Sequence, residues 1–81
     1  MGFLSSKRRI IRRSGLFDEK YYLFHYGDVR AADIDPLKHF LTIGWKEGRN
    51  PSDKFDTRFY LNANPDVEKS GENPLVHYIK N

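Results

Sequence analysis

The chain has 81 residues, no cysteine, 15% aromatic residues and a formal net charge of +3. A chain this short forms one small domain, has no disulfide or thiolate metal framework, and holds no run near the roughly 20 apolar residues of a membrane span. The charge is unevenly placed: Lys7, Arg8, Arg9, Arg12 and Arg13 supply +5, while residues 14–81 hold nine basic and eleven acidic side chains, a net of −2. Only the basic head therefore has an electrostatic reason to seek an anionic partner.

Residues 1–16 read as a basic amphipathic leader. Ser6 is a candidate cap, Ile10 and Ile11 face one way on a short helix, and Gly15 is a suitable stop. No uninterrupted apolar core follows the basic residues, which argues against a secretory signal.

The next unit spans residues 17–54. Asp18 is placed to cap a helix by accepting hydrogen bonds from first-turn amides, and Phe17 and Tyr22 have the spacing of a hydrophobic staple. Tyr21, Tyr22, Leu23, Phe24 and Tyr26 then form a broad, mainly aromatic face. Tyr26-Gly27-Asp28-Val29 predicts a bend that uses glycine's freedom, with Asp28 bonded to nearby backbone amides and Val29 turned inward. Asp35-Pro36 predicts a second helix start, followed by a stripe of Leu37, Phe40, Leu41 and Trp45. Gly44 interrupts or ends that helix. Gly48 is the firmer terminator, before a link over residues 49–53.

The last unit, 55–81, repeats this pattern with a period of 38 residues. Nine of 27 aligned positions are identical: Phe17/Phe55, Asp18/Asp56, Tyr22/Tyr60, Leu23/Leu61, Asp28/Asp66, Val29/Val67, Pro36/Pro74, Leu37/Leu75 and His39/His77. Asn64-Pro65 and Asn73-Pro74 supply cap-then-proline starts. No strand-like alternation occurs. The expected fold is all-α: a basic leader helix followed by two stacked helix-turn-helix repeats, joined through Leu37, Phe40, Leu41, Trp45, Tyr60, Leu61, Leu75 and Tyr78. Counterparts of residues 44–51 do not follow the second copy, so further chain or a partner is expected there.

Phe17-Asp-x-x-Tyr-Tyr-Leu23, Asn64-Pro-Asp-Val67, Asn73-Pro-Leu-x-His-Tyr78 and Gly44-Trp-x-Glu-Gly-Arg-Asn-Pro51 together carry a resemblance over residues 17–81. The pattern resembles short helical repeats found beside glycosyltransferase domains in bacterial cell-surface polysaccharide proteins, including rhamnan-synthesis-type enzymes. Similar repeats also accompany some secreted bacterial proteins. The resemblance implies a non-catalytic accessory module. Its partners would be a glycosyltransferase domain or further repeats, and its place the cytoplasm, peripheral to the inner face of the membrane.

Other motifs have a structural reading beside a sharper one. A residue required in both copies is usually structural, so His39 and His77 are read as packed histidines bonding across the repeat interface. Zinc would want three or four ligands, and His25 has no counterpart in the second copy. Asp33-Ile34-Asp35 spells a metal motif, but Asp35 is better used as a cap. No nucleophile, base and orienting group come together, so no catalytic, cofactor or metal residue is assigned. Phe24, His25, Tyr26 and Trp45 are the candidate carbohydrate-facing aromatics. Glu47 and Arg49 are expected to form a turn ion pair.

The basic leader has three readings. It is a solvated tail, a membrane contact through Lys7, Arg8, Arg9, Arg12 and Arg13 with Phe3, Leu4, Ile10 and Ile11 entering the interface, or a nucleic-acid contact. The body has no basic groove to extend the last. Met1 to Ser6 also fits a myristoylation pattern, a eukaryotic modification at odds with the bacterial resemblance.

Overall fold

The computed structural model of the chain describes residues 3–81, with side chains from residue 6 onward, and its fold is all-α. Helix α1 spans Phe3–Ser14, α2 Glu19–His25, α3 Gly27–Ala32 and α4 Pro36–Thr42. A 3-10 turn at Gly44–Glu47 precedes α5 (Thr57–Ala63), α6 (Pro65–Ser70) and α7 (Pro74–Lys80). The only strand-like pairing among the described residues is an isolated bridge between Ser52 and Phe55.

Polar side-chain caps start α2, α4, α5 and α7, whereas Asn64, expected to cap α6, makes no side-chain cap bond and donates to Tyr60 O instead. Asp18 accepts from the Tyr21 amide and Asp56 from the Phe59 amide, each at 3.0 Å, which satisfies first-turn donors. Asp35 accepts from the Leu37 amide at 3.1 Å, and Asn73 from the amides of Leu75 and Val76 at 2.9 and 3.1 Å. Pro36, Pro65 and Pro74 follow their caps directly, where a missing N–H costs nothing. The acidic cap is exposed while its neutral counterpart Asn73 is 2% exposed. A buried carboxylate there would need a compensating charge.

The bends differ from expectation in one respect. Gly27 has no positive φ; it is the first residue of α3, and the backbone of Tyr26 makes the turn (φ −121°, ψ 76°). Asn64 does the same before α6 (φ −132°, ψ 69°). Each turn of the expected helix-turn-helix thus contains a short helix of its own. Left-handed residues end α3 and α6, Asp33 at φ 57° and Gly71 at φ 79°.

One core runs through the molecule. Ile11, Tyr22, Val29, Leu37, Phe40, Leu41, Trp45, Phe55, Leu61, Val67, Leu75 and Val76 are buried in it. Two residues expected in the joint lie nearer the surface: Tyr60 is partly buried and Tyr78 is half exposed. Trp45 is buried from the 3-10 turn and not from α4, because α4 stops at Thr42.

The leader is part of this core. Helix α1 packs against both α4 and α7, and Ile11 is completely buried. It is therefore not a solvated tail. It bridges the first and second halves of the chain, since α4 belongs to one and α7 to the other. Replacing Ile11 with Ala should cost about 2–5 kcal/mol of unfolding free energy by chemical denaturation, because it empties a closed site. Arg9→Ala, on the exposed side, should change it by less than about 0.5 kcal/mol.

Candidate functional site

The most tightly organised polar group joins α2, α4 and the 3-10 turn. The Tyr22 hydroxyl and His39 Nδ1 are 2.7 Å apart inside the core, bridging 17 residues of sequence. Tyr22 is 0% and His39 6% exposed. Burial pushes the phenol well above its ordinary value and the imidazole below its own, and the nearby Arg49 charge depresses the imidazole further. Both side chains are thus neutral at pH 7. His39 Nδ1 is the one partner of the buried Tyr22 hydroxyl, so satisfying that O–H assigns it as the donor and the imidazole proton to Nε2.

Neighbours close the pair off. Phe17, Tyr26 and Phe40 place their ring centroids 5.4, 4.8 and 5.9 Å from that of Tyr22. Gly44 passes so close that a Cβ would overlap the Tyr22 hydroxyl. The site is closed to a substrate, and its phenol is held as a donor. His39 therefore bonds within its own unit and not across a repeat interface as expected.

Outside this pair sits Arg49. Its Nη1 and Nη2 donate to Asp28 at 2.8 and 2.7 Å, and its Nε donates to Glu47 at 2.8 Å. The guanidinium lies 4.9 Å from the Tyr26 ring centroid. The two hydrogen bonds from Arg49 hold the Asp28 carboxyl down at about 2. Asn50 N–H donates to the Tyr26 hydroxyl, while Thr57 donates its amide to Asn50 Oδ1 and its hydroxyl to Arg49 O, all at 2.8 Å. The Asp18 amide donates to Pro51 O at 2.9 Å. The Glu47–Arg49 pair is present as expected, but Asp28 has a stronger partner than the backbone amides assigned to it.

The second half repeats the inner part of this arrangement. Tyr60 hydroxyl and His77 Nδ1 are 2.6 Å apart, also across 17 residues. Phe55–Tyr60 and Tyr60–Tyr78 centroid distances of 5.4 and 5.8 Å match Phe17–Tyr22 and Tyr22–Phe40 at 5.4 and 5.9 Å. The sequence signal was present: the two Tyr/His pairs are identical at the same separation. The Asp28–Arg49–Tyr26 cluster had no such signal, because Tyr26 becomes Asn64 in the second copy and Arg49 lies 21 residues from Asp28.

The carbohydrate candidates do not gather on one surface. Phe24 is 78% exposed and His25 is exposed, but Trp45 is buried and Tyr26 is committed to Asn50 and Arg49. An aromatic platform of all four is therefore ruled out by the core's demand for Trp45. Asp33 caps the end of α3 and Asp35 the start of α4. No group of metal-ligating residues occurs among the described residues.

The basic residues separate by role. Arg8 donates to Asp35 at 2.8 Å. Burial opposes ionisation of Asp35, but the Arg8 hydrogen bond and charge, together with the Leu37 and Lys38 amides, keep that carboxyl below its usual range. Lys7 and Ile10 line a groove with Val76 and Lys80 of α7. Arg9, Arg12 and Arg13 are exposed at i, i+3 and i+4 on α1 and form one cationic face. Ile11 cannot enter a lipid interface because the core already holds it, and Ile10 is half-buried beside α7. The side chains of Phe3 and Leu4 and the myristoylation pattern starting at Met1 lie outside the described residues. No protein-family model matches the chain, and neither does any curated protein or solved structure.

Removing the Tyr22 hydroxyl should strand the buried His39 nitrogen, so Tyr22→Phe is expected to cost about 1–3 kcal/mol. Tyr60→Phe should cost less in the same denaturation series, since water can reach the partly exposed His77. A second outcome concerns pH. The depressed His39 pKa means the unfolded chain binds the extra proton first, so stability is full above about 6.5 and falls as pH drops below it. Denaturation midpoints should decline from pH 7 to pH 5, and His39→Gln should flatten that decline.

Proposed function

We propose that the chain is a non-catalytic module of two helical units that repeat with a 38-residue period. In this reading it positions a bacterial cell-surface polysaccharide glycosyltransferase, through protein contact or at the anionic inner face of the membrane. The single observation that carries the non-catalytic reading is the use made of the recurring polar residues. Asp18, Tyr22, His39 and their counterparts Asp56, Tyr60 and His77 all engage partners inside the chain. Groups that serve as caps and buried donors build a scaffold. The motif resemblance over residues 17–81 supplies the glycosyltransferase context.

Membrane contact is supported by the cationic face of α1. Because the apolar side of α1 is spent on the core, attraction here is electrostatic and superficial. No helix among the described residues is long and apolar enough to cross a membrane. Each cation near an anionic surface contributes about 1 kcal/mol, so three give roughly a hundredfold preference for anionic over neutral vesicles. Sedimentation with phosphatidylserine-containing and pure phosphatidylcholine vesicles tests this. Arg9→Ala/Arg12→Ala/Arg13→Ala should abolish the preference, and raising salt should weaken it. Equal binding to both vesicle types would remove the membrane role.

A further inference from the structure

We propose that the groove between α1 and α7 binds a single-chain fatty acid, with its alkyl tail on Ile10 and Val76 and its carboxylate at Lys80. This goes beyond the membrane reading above, since the ligand enters the protein and the cationic face of α1 takes no part. Lys7 and Ile10 form the α1 wall, Val76 and Lys80 the α7 wall, around a space of about 440 Å³. Small-molecule sites commonly span roughly 300–1,000 Å³.

The groove is apolar at its floor and charged at its ends. Val76 is 2% exposed and Ile10 is half-buried, and the methylene stems of the two lysines extend that apolar lining. Glu72 stands just before α7 and Lys80 is its last residue, so the α7 wall is acidic at one end and basic at the other. An anionic head is therefore drawn to the Lys80 end, away from Glu72. Lys7, Lys80 and Glu72 together leave the groove one positive charge in excess. A single carboxylate balances it, whereas a doubly charged phosphate would exceed it.

The first unit supplies a comparison. Glu72, Val76 and Lys80 stand where it has Ile34, Lys38 and Thr42, so the repeat itself does not require this set. Packing of α1 on α7 accounts for Val76. It does not account for Lys80, which is exposed. Ile34, Lys38 and Thr42 are all exposed although the chain runs on past α4, so a continuing chain leaves this face open.

The test is a titration of the isotopically labelled full chain at neutral pH with decanoate, kept below its micelle concentration, followed by methyl and amide shifts. Saturable shifts should appear at the Ile10 and Val76 methyl groups and the Lys80 amide, and be absent at Tyr22 and His39. Each buried methylene tightens binding by about fourfold, so hexanoate should bind at least tenfold more weakly. Decanol and a Lys80→Glu chain should each weaken binding at least fivefold, and Glu72→Gln should tighten it. Lys80 is exposed, so its replacement leaves the fold intact, which circular dichroism checks. No saturable shift at millimolar decanoate, equal binding of decanol, indifference to Lys80→Glu, or tighter binding of decyl phosphate would each overturn the proposal. Arg9→Ala/Arg12→Ala/Arg13→Ala should still bind decanoate. Failure of decanoate in a chain that prefers anionic vesicles would sink this inference alone and leave the membrane role standing.

Discussion

A buried tyrosine that must give its hydroxyl proton to a histidine sets the terms for the first unit. An apolar core this small cannot tolerate an unpaired phenol or imidazole. The Tyr22–His39 bond therefore fixes the distance between α2 and α4. Rings of Phe17, Tyr26 and Phe40 pack around that fixed point. Chain following α4 must then pass over the hydroxyl with no side chain, which Gly44 provides. The 3-10 turn carries Trp45 into the core and sets Arg49 opposite Asp28.

Much of this was legible in the residues, and the divide between what was and was not is physical. Helix starts were readable because capping is local: Asp18, Asp35, Asp56 and Asn73 bond amides two or three residues away. The buried stripe of Leu37, Phe40 and Leu41 follows from helical periodicity. The partner of Asp28 was not readable, because Arg49 lies 21 residues away and only the path of the chain brings them together. Trp45 carried two readings, the end of the buried stripe and a carbohydrate-facing aromatic; it is buried, but from the 3-10 turn beyond α4, where helical periodicity no longer applies.

The leader divides its side chains between the two sides of one helix. Ile11 and Arg8 belong to the fold, one in the core and one on Asp35. Arg9, Arg12 and Arg13 point away and remain exposed. Burial of one face orders the other, so the three guanidinium groups stand at fixed spacing on a helix already folded. The proposed membrane contact would forgo lipid insertion but lose little entropy on binding.

Each half of the molecule is organised around a tyrosine hydroxyl bonded to a histidine Nδ1, with the hydroxyl assigned as donor. Nitrogen-15 imidazole shifts of His39 and His77 at neutral pH, recorded through long-range couplings to the ring protons, measure this directly. An unprotonated, acceptor-type Nδ1 and a protonated Nε2 are expected in both residues. A protonated Nδ1 in either ring, or one insensitive to replacing its tyrosine with phenylalanine, would contradict it.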